Sequence, residues 1–315
     1  RLTAMRIGQT LKDMVTDDRS LSEYPAISPL LALQMILDNV HEQNRLQGHQ
    51  GPIAALRFSP DGQTIATCGE DGTARLWNLA GQQILQLDGH RGGVYSLSFS
   101  PDGRKLATTG DDGTVRIWNP MGKKIGQWRD YEGRINSVSF SLDGRYIATA
   151  GEDSTVKIWS AAGQLSAHLK GHRGPIKDAN FSPNRQYLAS AGWDGIAAIW
   201  QLSDNQMIPL EGHMGGVYSS CFSPDGQQVV TAGLDGTARL WNLAGQQIAQ
   251  FDGHQGPVNR ICFSLDGQRL ASAGEDGSVR IWNLSGQQMM QLNGHHHPIR
   301  ELDFSFDGQY LATAG

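Results

Sequence analysis

Histidine, a serine or threonine, and aspartate are the residue types of a hydrolytic triad, and they recur along this chain at a fixed spacing, as in His49, Thr67 and Asp71. A triad activates one nucleophilic hydroxyl, and an enzyme needs only one such set. Here the set returns in repeat after repeat, so it reads as structural, and no catalytic residue is expected. His295, His296 and His297 could in principle hold a metal. His295, however, occupies the repeating histidine position, and its two neighbours have no cysteine or carboxylate at ligand spacing. Asp-Gly pairs are frequent, but the D-x-D-x-D-G spacing and distant Glu of a calcium loop are missing, and turn formation accounts for them. Cys221 and Cys262 share a repeat position and read as small core fillers. The expectation is no metal and no cofactor.

Composition narrows the class further. The chain has 315 residues, 39% hydrophobic and 18% charged, enough to build a sizeable core. Glycine supplies 39 of them, well above the typical ~7%, which implies repeated tight turns. Net charge is −5 with both signs well mixed, so neither a nucleic-acid footprint nor a membrane-binding basic patch is expected. Three cysteines without a CxxC pair do not make a disulfide scaffold, and a cytoplasmic location is expected. No apolar run approaches the ~18 residues that would read as a spanning helix.

The elements that must position these residues follow from an internal repeat. Gly-His occurs at Gly48-His49, Gly89-His90, Gly171-His172, Gly212-His213, Gly253-His254 and Gly294-His295, always 41 residues apart or a multiple of that, with Asp130-Tyr131 in the one missing place. Trp77, Trp118, Trp159, Trp200, Trp241 and Trp282 keep the same period. Within the second repeat, Val94–Phe99 is a β-rich run ending at the turn Ser100-Pro101-Asp102-Gly103. A second run (Lys105 to Thr108), the turn Asp111-Asp112-Gly113, a third run (Thr114 to Trp118) and a fourth (Lys124 to Trp128) follow. Four short strands joined by Pro-Asp-Gly and Asp-Gly turns predict an antiparallel sheet. A unit of ~40 residues cannot bury both its faces alone, so neighbouring sheets must stack.

Residues 48 to 315, with their spaced Gly-His and Trp elements, resemble the WD40 family. The residue after Trp is Asn, Ser or Gln and never Asp, a variable position in that family. The resemblance implies an all-β, seven-bladed WD40 β-propeller over 42–315, with repeats near 48–88, 89–129, 130–170, 171–211, 212–252, 253–293 and a truncated 294–315. It also implies a hydrogen-bonded tetrad in each blade. The tetrads would be His49, Thr67, Asp71 and Trp77; His90, Thr108, Asp112 and Trp118; His172, Ser190, Asp194 and Trp200; His213, Thr231, Asp235 and Trp241; and His254, Ser272, Asp276 and Trp282. In the third repeat Tyr131 stands in the histidine place beside Thr149, Asp153 and Trp159, so that network is expected to be broken or rebuilt.

By the same resemblance, partners meet three positions per blade on the narrow face: those flanking the first strand's leading aliphatic and the one before the tetrad Asp. The last set reads Glu70, Asp111, Glu152, Trp193, Leu234 and Glu275. The residues after the aliphatic are Ala54, Tyr95, Asn136, Lys177, Tyr218, Asn259 and Arg300, and those before it are Pro or Gly except Arg134. Glu70, Asp111 and Glu152 form an acidic arc, while Tyr95, Trp193 and Tyr218 offer aromatic anchors of the kind that dominate interfaces. The stretch Asp71 to Ile84 recurs identically as Asp235 to Ile248, which suggests recent repeat duplication.

The two ends depart from this pattern. The seventh repeat stops after its second strand, and Glu42 to Gln47 is placed to be the outer strand of that blade. With the third strand missing, the reading is a fragment or a propeller open at blade seven, with an exposed edge. Residues 1–41 read as a helical linker. Leu2, Met5, Leu11 and Val15 suggest one amphipathic helix, and Ser28-Pro29 caps a second that carries Leu30, Leu31, Leu33, Ile36, Leu37 and Val40. This segment resembles the region before the propeller in large bacterial STAND-type NTPases. There the WD repeats act as a C-terminal sensor. No GxxxxGK[ST] loop is present here, so an NTPase or effector domain would lie upstream. The expected function is a non-catalytic protein- or peptide-binding scaffold in a bacterial signalling protein. The alternative is a structural spacer or oligomerisation module.

Overall fold

The computed structural model describes residues 2–6, 42–129, 133–293, 295, 297–305, 307, 308 and 310–315. The first hairpin shows how the sequence makes its strands. Ile53–Phe58 and Thr64–Gly69 pair antiparallel across Ser59-Pro60-Asp61-Gly62. The Gly62 N–H donates to the Ser59 carbonyl at 2.8 Å with Gly62 at φ +68°, and the Asp61 carboxylate accepts from the Gln63 N–H at 3.0 Å. Glycine adopts that left-handed backbone at no steric cost, which is why it follows Asp in these turns.

Six four-stranded antiparallel sheets are each built from consecutive strands, the first from Ile53–Phe58, Thr64–Gly69, Ala74–Asn78 and Gln83–Leu87. A seventh four-stranded sheet draws on both ends of the chain, in the order Glu42–Leu46, Leu2–Arg6, Tyr310–Ala314, Glu301–Phe304. Glu42–Leu46 is the outer strand, in the expected place.

The open blade and the first helix are corrected by this sheet. Leu2 and Met5 lie in a strand, not a helix, and Leu2–Arg6 supplies the missing third strand. Thr3 is opposite Arg45 on one side and Thr313 on the other. The physical reason is edge satisfaction. A helix at Leu2–Arg6 would leave Tyr310–Ala314 and Glu42–Leu46 with unpaired backbone groups, whereas a strand completes both ladders. The propeller therefore begins before residue 42. The other positions read as helical, Leu11, Val15 and Ser28 to Val40, lie outside the described residues.

The sheets stack through apolar faces that close a ring. Ala55, Ala66, Cys68 and Leu76 of the first sheet pack on Val94, Leu97, Leu106 and Trp118 of the second. The same exchange continues from sheet to sheet until Ile281 of the sixth meets Ile299 and Leu311 of the seventh. Leu46, Ala312 and Ala314 of the seventh meet Ile53, Leu56 and Trp77 of the first. Burying each such Leu, Ile or Val stabilises by roughly 1.5–3 kcal/mol relative to exposure, so neighbouring sheets depend on one another for their cores.

In six sheets the first strand carries a register shift just after its leading aliphatic. Ile53 is opposite Gly69 but Ala55 is opposite Cys68, which leaves Ala54 as the extra residue, and the shift recurs around Tyr95, Asn136, Lys177, Tyr218 and Asn259. A bulge re-aims the side chain it carries. The turn is pinned from the second strand. The Glu70 N–H donates to the Pro52 carbonyl at 3.0 Å, and Trp193 to Pro175 at 2.9 Å. Gly69 allows that approach, since a Cβ there would lie 2.6 Å from the Pro52 oxygen.

Candidate binding site

The bulge and the pinned turn bring the expected face residues to one end of the ring axis. Tyr95, Lys177, Trp193, Tyr218, Glu275 and Arg300 line a single cavity of about 310 Å³. Trp193 remains 56% exposed although its ring lies against Tyr218, with centroids 5.5 Å apart and planes at 44°. That tilted contact joins two neighbouring sheets and fixes an apolar wall. Burial, and then the nearby Glu275 carboxylate, raise the Tyr218 phenol above its ordinary value.

The acidic arc is largely committed to other protein groups. Glu70 pairs with Arg300 at 3.2 Å, closing the mouth between the first and seventh sheets. Asp111 accepts the Gly93 N–H at 2.9 Å. Glu152 holds Arg134 at 2.8 Å, and that guanidinium stacks over the Tyr95 ring at 4.5 Å. Asn136 and Asn259 tie sheets together, each donating its amide to the next sheet, at Ile176 and Ile299, over 2.9 Å. These three carboxylates do not line the cavity; Gly93 and Arg134 lie beside the first strands of the same sheets as Asp111 and Glu152, and only Glu70 reaches another sheet, at Arg300.

Beneath the mouth lies a charged plug that the sequence reading missed. Asp178 and Arg260 meet at 2.8 Å, Glu301 approaches the Arg260 Nε at 3.5 Å, and Arg57 binds Glu301 at 2.7 Å. The Asp178 carboxylate also accepts the Ser220 N–H at 3.1 Å. The 3.5 Å approach is an ion-pair distance without hydrogen-bond geometry, and the Arg260 Nε makes no hydrogen bond. Two residues along from Glu301, burial raises the Asp303 carboxyl above its ordinary range, although the Phe58 N–H donates to it at 3.0 Å. A signal was available. One place along the first strand reads Ala55, Ser96, Ser137, Asp178, Ser219, Arg260 and Glu301, small except where opposite charges appear.

The tetrad residues meet in five sheets. In the first, His49 Nδ1 lies 2.8 Å from Asp71, His49 Nε2 is 2.8 Å from the Thr67 Oγ1, and the Trp77 indole N–H donates to that oxygen at 2.8 Å. His90, His172, His213 and His254 make the same links. Because a carboxylate only accepts, Nδ1 carries the proton and Nε2 accepts from the hydroxyl. Each group is then satisfied with a neutral imidazole. Burial lowers the imidazole pKa of His49, His90 and His254 against the pull of their aspartates. Burial alone would raise Asp71, but the Gln50 and Thr73 N–H groups, the Thr73 hydroxyl and His49 outweigh it and hold the carboxyl at about 2. Thr67, Thr108, Ser190, Thr231 and Ser272 are fully buried, so no substrate reaches the hydroxyl that a hydrolase would use.

Two sheets depart from this pattern. In the third, Trp159 donates to Thr149 at 2.8 Å and Lys157 lies 3.4 Å from Asp153, while Tyr131 lies outside the described residues. In the seventh, His295 is 2.8 Å from Thr313, and Met5 stands opposite Leu311, the register that Trp77 holds opposite Ile65. His296 lies outside the described residues. Among the described residues no group of three His, Cys, Asp or Glu is placed to hold a metal ion, and no helix is long and apolar enough to cross a membrane.

Known proteins share these features. A family model described as the IFT122 first beta-propeller matches residues 36–252, and one described as WD domain, G-beta repeat matches 245–283 and 286–315. Two uncharacterized WD repeat-containing proteins of Synechocystis are each 40% identical, over 81 and 87 residues. Each match covers 26% of this chain, but only 7% of the first relative and 5% of the second. The human serine-threonine kinase receptor-associated protein is 56% identical over 36 residues, 11% of this chain and 10% of that protein. WD40 propellers generally serve as non-catalytic scaffolds for protein interaction. With its period, its ring of four-stranded sheets and its tetrads, the chain belongs to the WD40-repeat β-propeller family.

Proposed function

We propose that this chain is a protein- or peptide-binding scaffold that takes its partner at the funnel mouth, against Trp193 and Tyr218, with the composite sheet serving as the seventh blade. The observation that carries this reading is Trp193. Its sister positions hold Glu, Asp or Leu, packing does not require an indole there, and the ring stays 56% exposed on a rigid rim. Exposed aromatics held in place lose little entropy on binding and make strong anchors.

The wider setting belongs to the same proposal: a sensor propeller of a larger bacterial signalling protein, located in the cytoplasm. What supports it is the length of the Synechocystis relatives, of which this chain spans 7% and 5%. The test is capture from native-host lysate on immobilised wild-type and Trp193→Ala propellers, quantified by mass spectrometry. The expected result is a defined set of proteins lost with the variant while its circular dichroism spectrum stays unchanged. Identical capture by both would overturn the assignment.

A further inference from the structure

Among the described residues, one cation lining the funnel makes no ion pair. Arg300 is paired with Glu70, Arg134 with Glu152, and Arg260 with Asp178. Lys177 lines the same cavity and, among the described residues, makes no ion pair within 4.0 Å and no hydrogen bond. It is carried on the bulge of the fourth sheet, beside the turn that places Trp193. Crowding by protein lowers its pKa, Arg134 and Arg300 add repulsion, and Glu301 and Asp178 offset only part of it. Lys177 is itself exposed at the mouth, and an ammonium beside an apolar wall is suited to an incoming anion, because a partner that covers the pair desolvates it and strengthens its attraction.

We propose that the partner segment carries an acidic side chain, Asp or Glu, whose carboxylate meets Lys177 while an adjacent apolar or aromatic residue packs on Trp193 and Tyr218. A single unpaired ammonium matches a single negative charge, since the neighbouring guanidinium groups are already held by carboxylates. Glu275 lines the same cavity without an ion pair among the described residues, so a second acidic residue directed towards the sixth sheet is disfavoured. This inference rests on the funnel-mouth reading above and adds the chemistry of what enters.

The experiment is selection of a random linear peptide library, displayed on phage, against the propeller, followed by titration of a selected peptide made synthetically. Selected clones are expected to carry Asp or Glu next to an aromatic or aliphatic residue. Lys177→Gln, and separately Asp→Asn in the peptide, should each weaken binding about tenfold or more, as loss of a charge-assisted hydrogen bond would. The two changes together should cost little more than either alone. Selection on Lys177→Glu should replace the acidic residue by Lys or Arg, an inversion that a merely structural role for Lys177 would not produce. Peptides lost with Trp193→Ala but bearing no acidic residue, or indifferent to Lys177→Gln, overturn the carboxylate assignment and leave the funnel reading standing. Peptides that bind the Trp193→Ala variant undiminished, or a library that yields no clone above background, overturn both.

Discussion

Arg260 of the sixth sheet reaches past the fifth to Asp178 of the fourth, with Nη1 2.8 Å from Oδ2 and 82 positions of sequence between them. The pair bridges two sheets that are not neighbours, and with Glu301 and Arg57 it links four sheets that do not all pack face to face. Truncating one member of a buried ionic set strands the others in low dielectric.

Replacing Arg260 by methionine is therefore expected to destabilise the fold by roughly 3–5 kcal/mol, because Asp178 and Glu301 lose their shared cation. Urea unfolding checks this through a lower midpoint at unchanged slope. A midpoint equal to wild type would mean that water reaches the plug and screens it.

The tetrads predict acid lability with a defined sign. His49, His90 and His254 have folded pKa values below the ordinary 6.5, so the fold excludes a proton that the unfolded chain binds, and stability falls as pH drops below about 6.5. Asp71, Asp112 and Asp276 sit at about 2 against an ordinary 3.8, so their contribution is present above 3.8 and is lost as pH falls towards 2. Denaturant midpoints measured from pH 8 down to pH 3 should decline in these two successive windows. A midpoint flat through the first window would show that the fold takes up these protons as readily as the unfolded chain.

Thr3 tests the composite sheet. It stands in an inner strand between Arg45 and Thr313, where proline would remove a ladder donor and fit the backbone poorly. Thr3→Pro is expected to destabilise the composite sheet by the loss of a ladder hydrogen bond. It should also strip hydrogen-exchange protection from residues 310–314 before the six consecutive sheets are affected. Unchanged protection there would mean that Leu2–Arg6 does not hold the strand.

Much of this architecture was legible because it repeats. A 41-residue period with Gly-His and Trp in fixed places constrains every copy at once, so strands, turns and the His-Thr-Asp-Trp links could be placed by counting. Trp193 stood out for the same reason, as a departure from its sister positions. What failed was anything that occurs once. Leu2–Arg6 has neither the Trp nor the turn residues of the other third strands, and alternation over five residues is weak evidence for a strand.

The sequence by itself determined the repeating unit, its antiparallel hairpins and the buried polar links, since these depend on residues at most a few dozen positions apart. Tertiary structure decided which groups are free and which are committed. Glu70 meets Arg300, Glu301 meets Arg57 and Asp178 meets Arg260 only because the ring closes, bringing residues 230, 244 and 82 positions apart to a common axis. Pairing across a closed ring depends on sheet order and tilt, which no local pattern encodes. Among the described residues it left Lys177 without an ion pair, in a funnel where Arg57, Arg260 and Arg300 are paired.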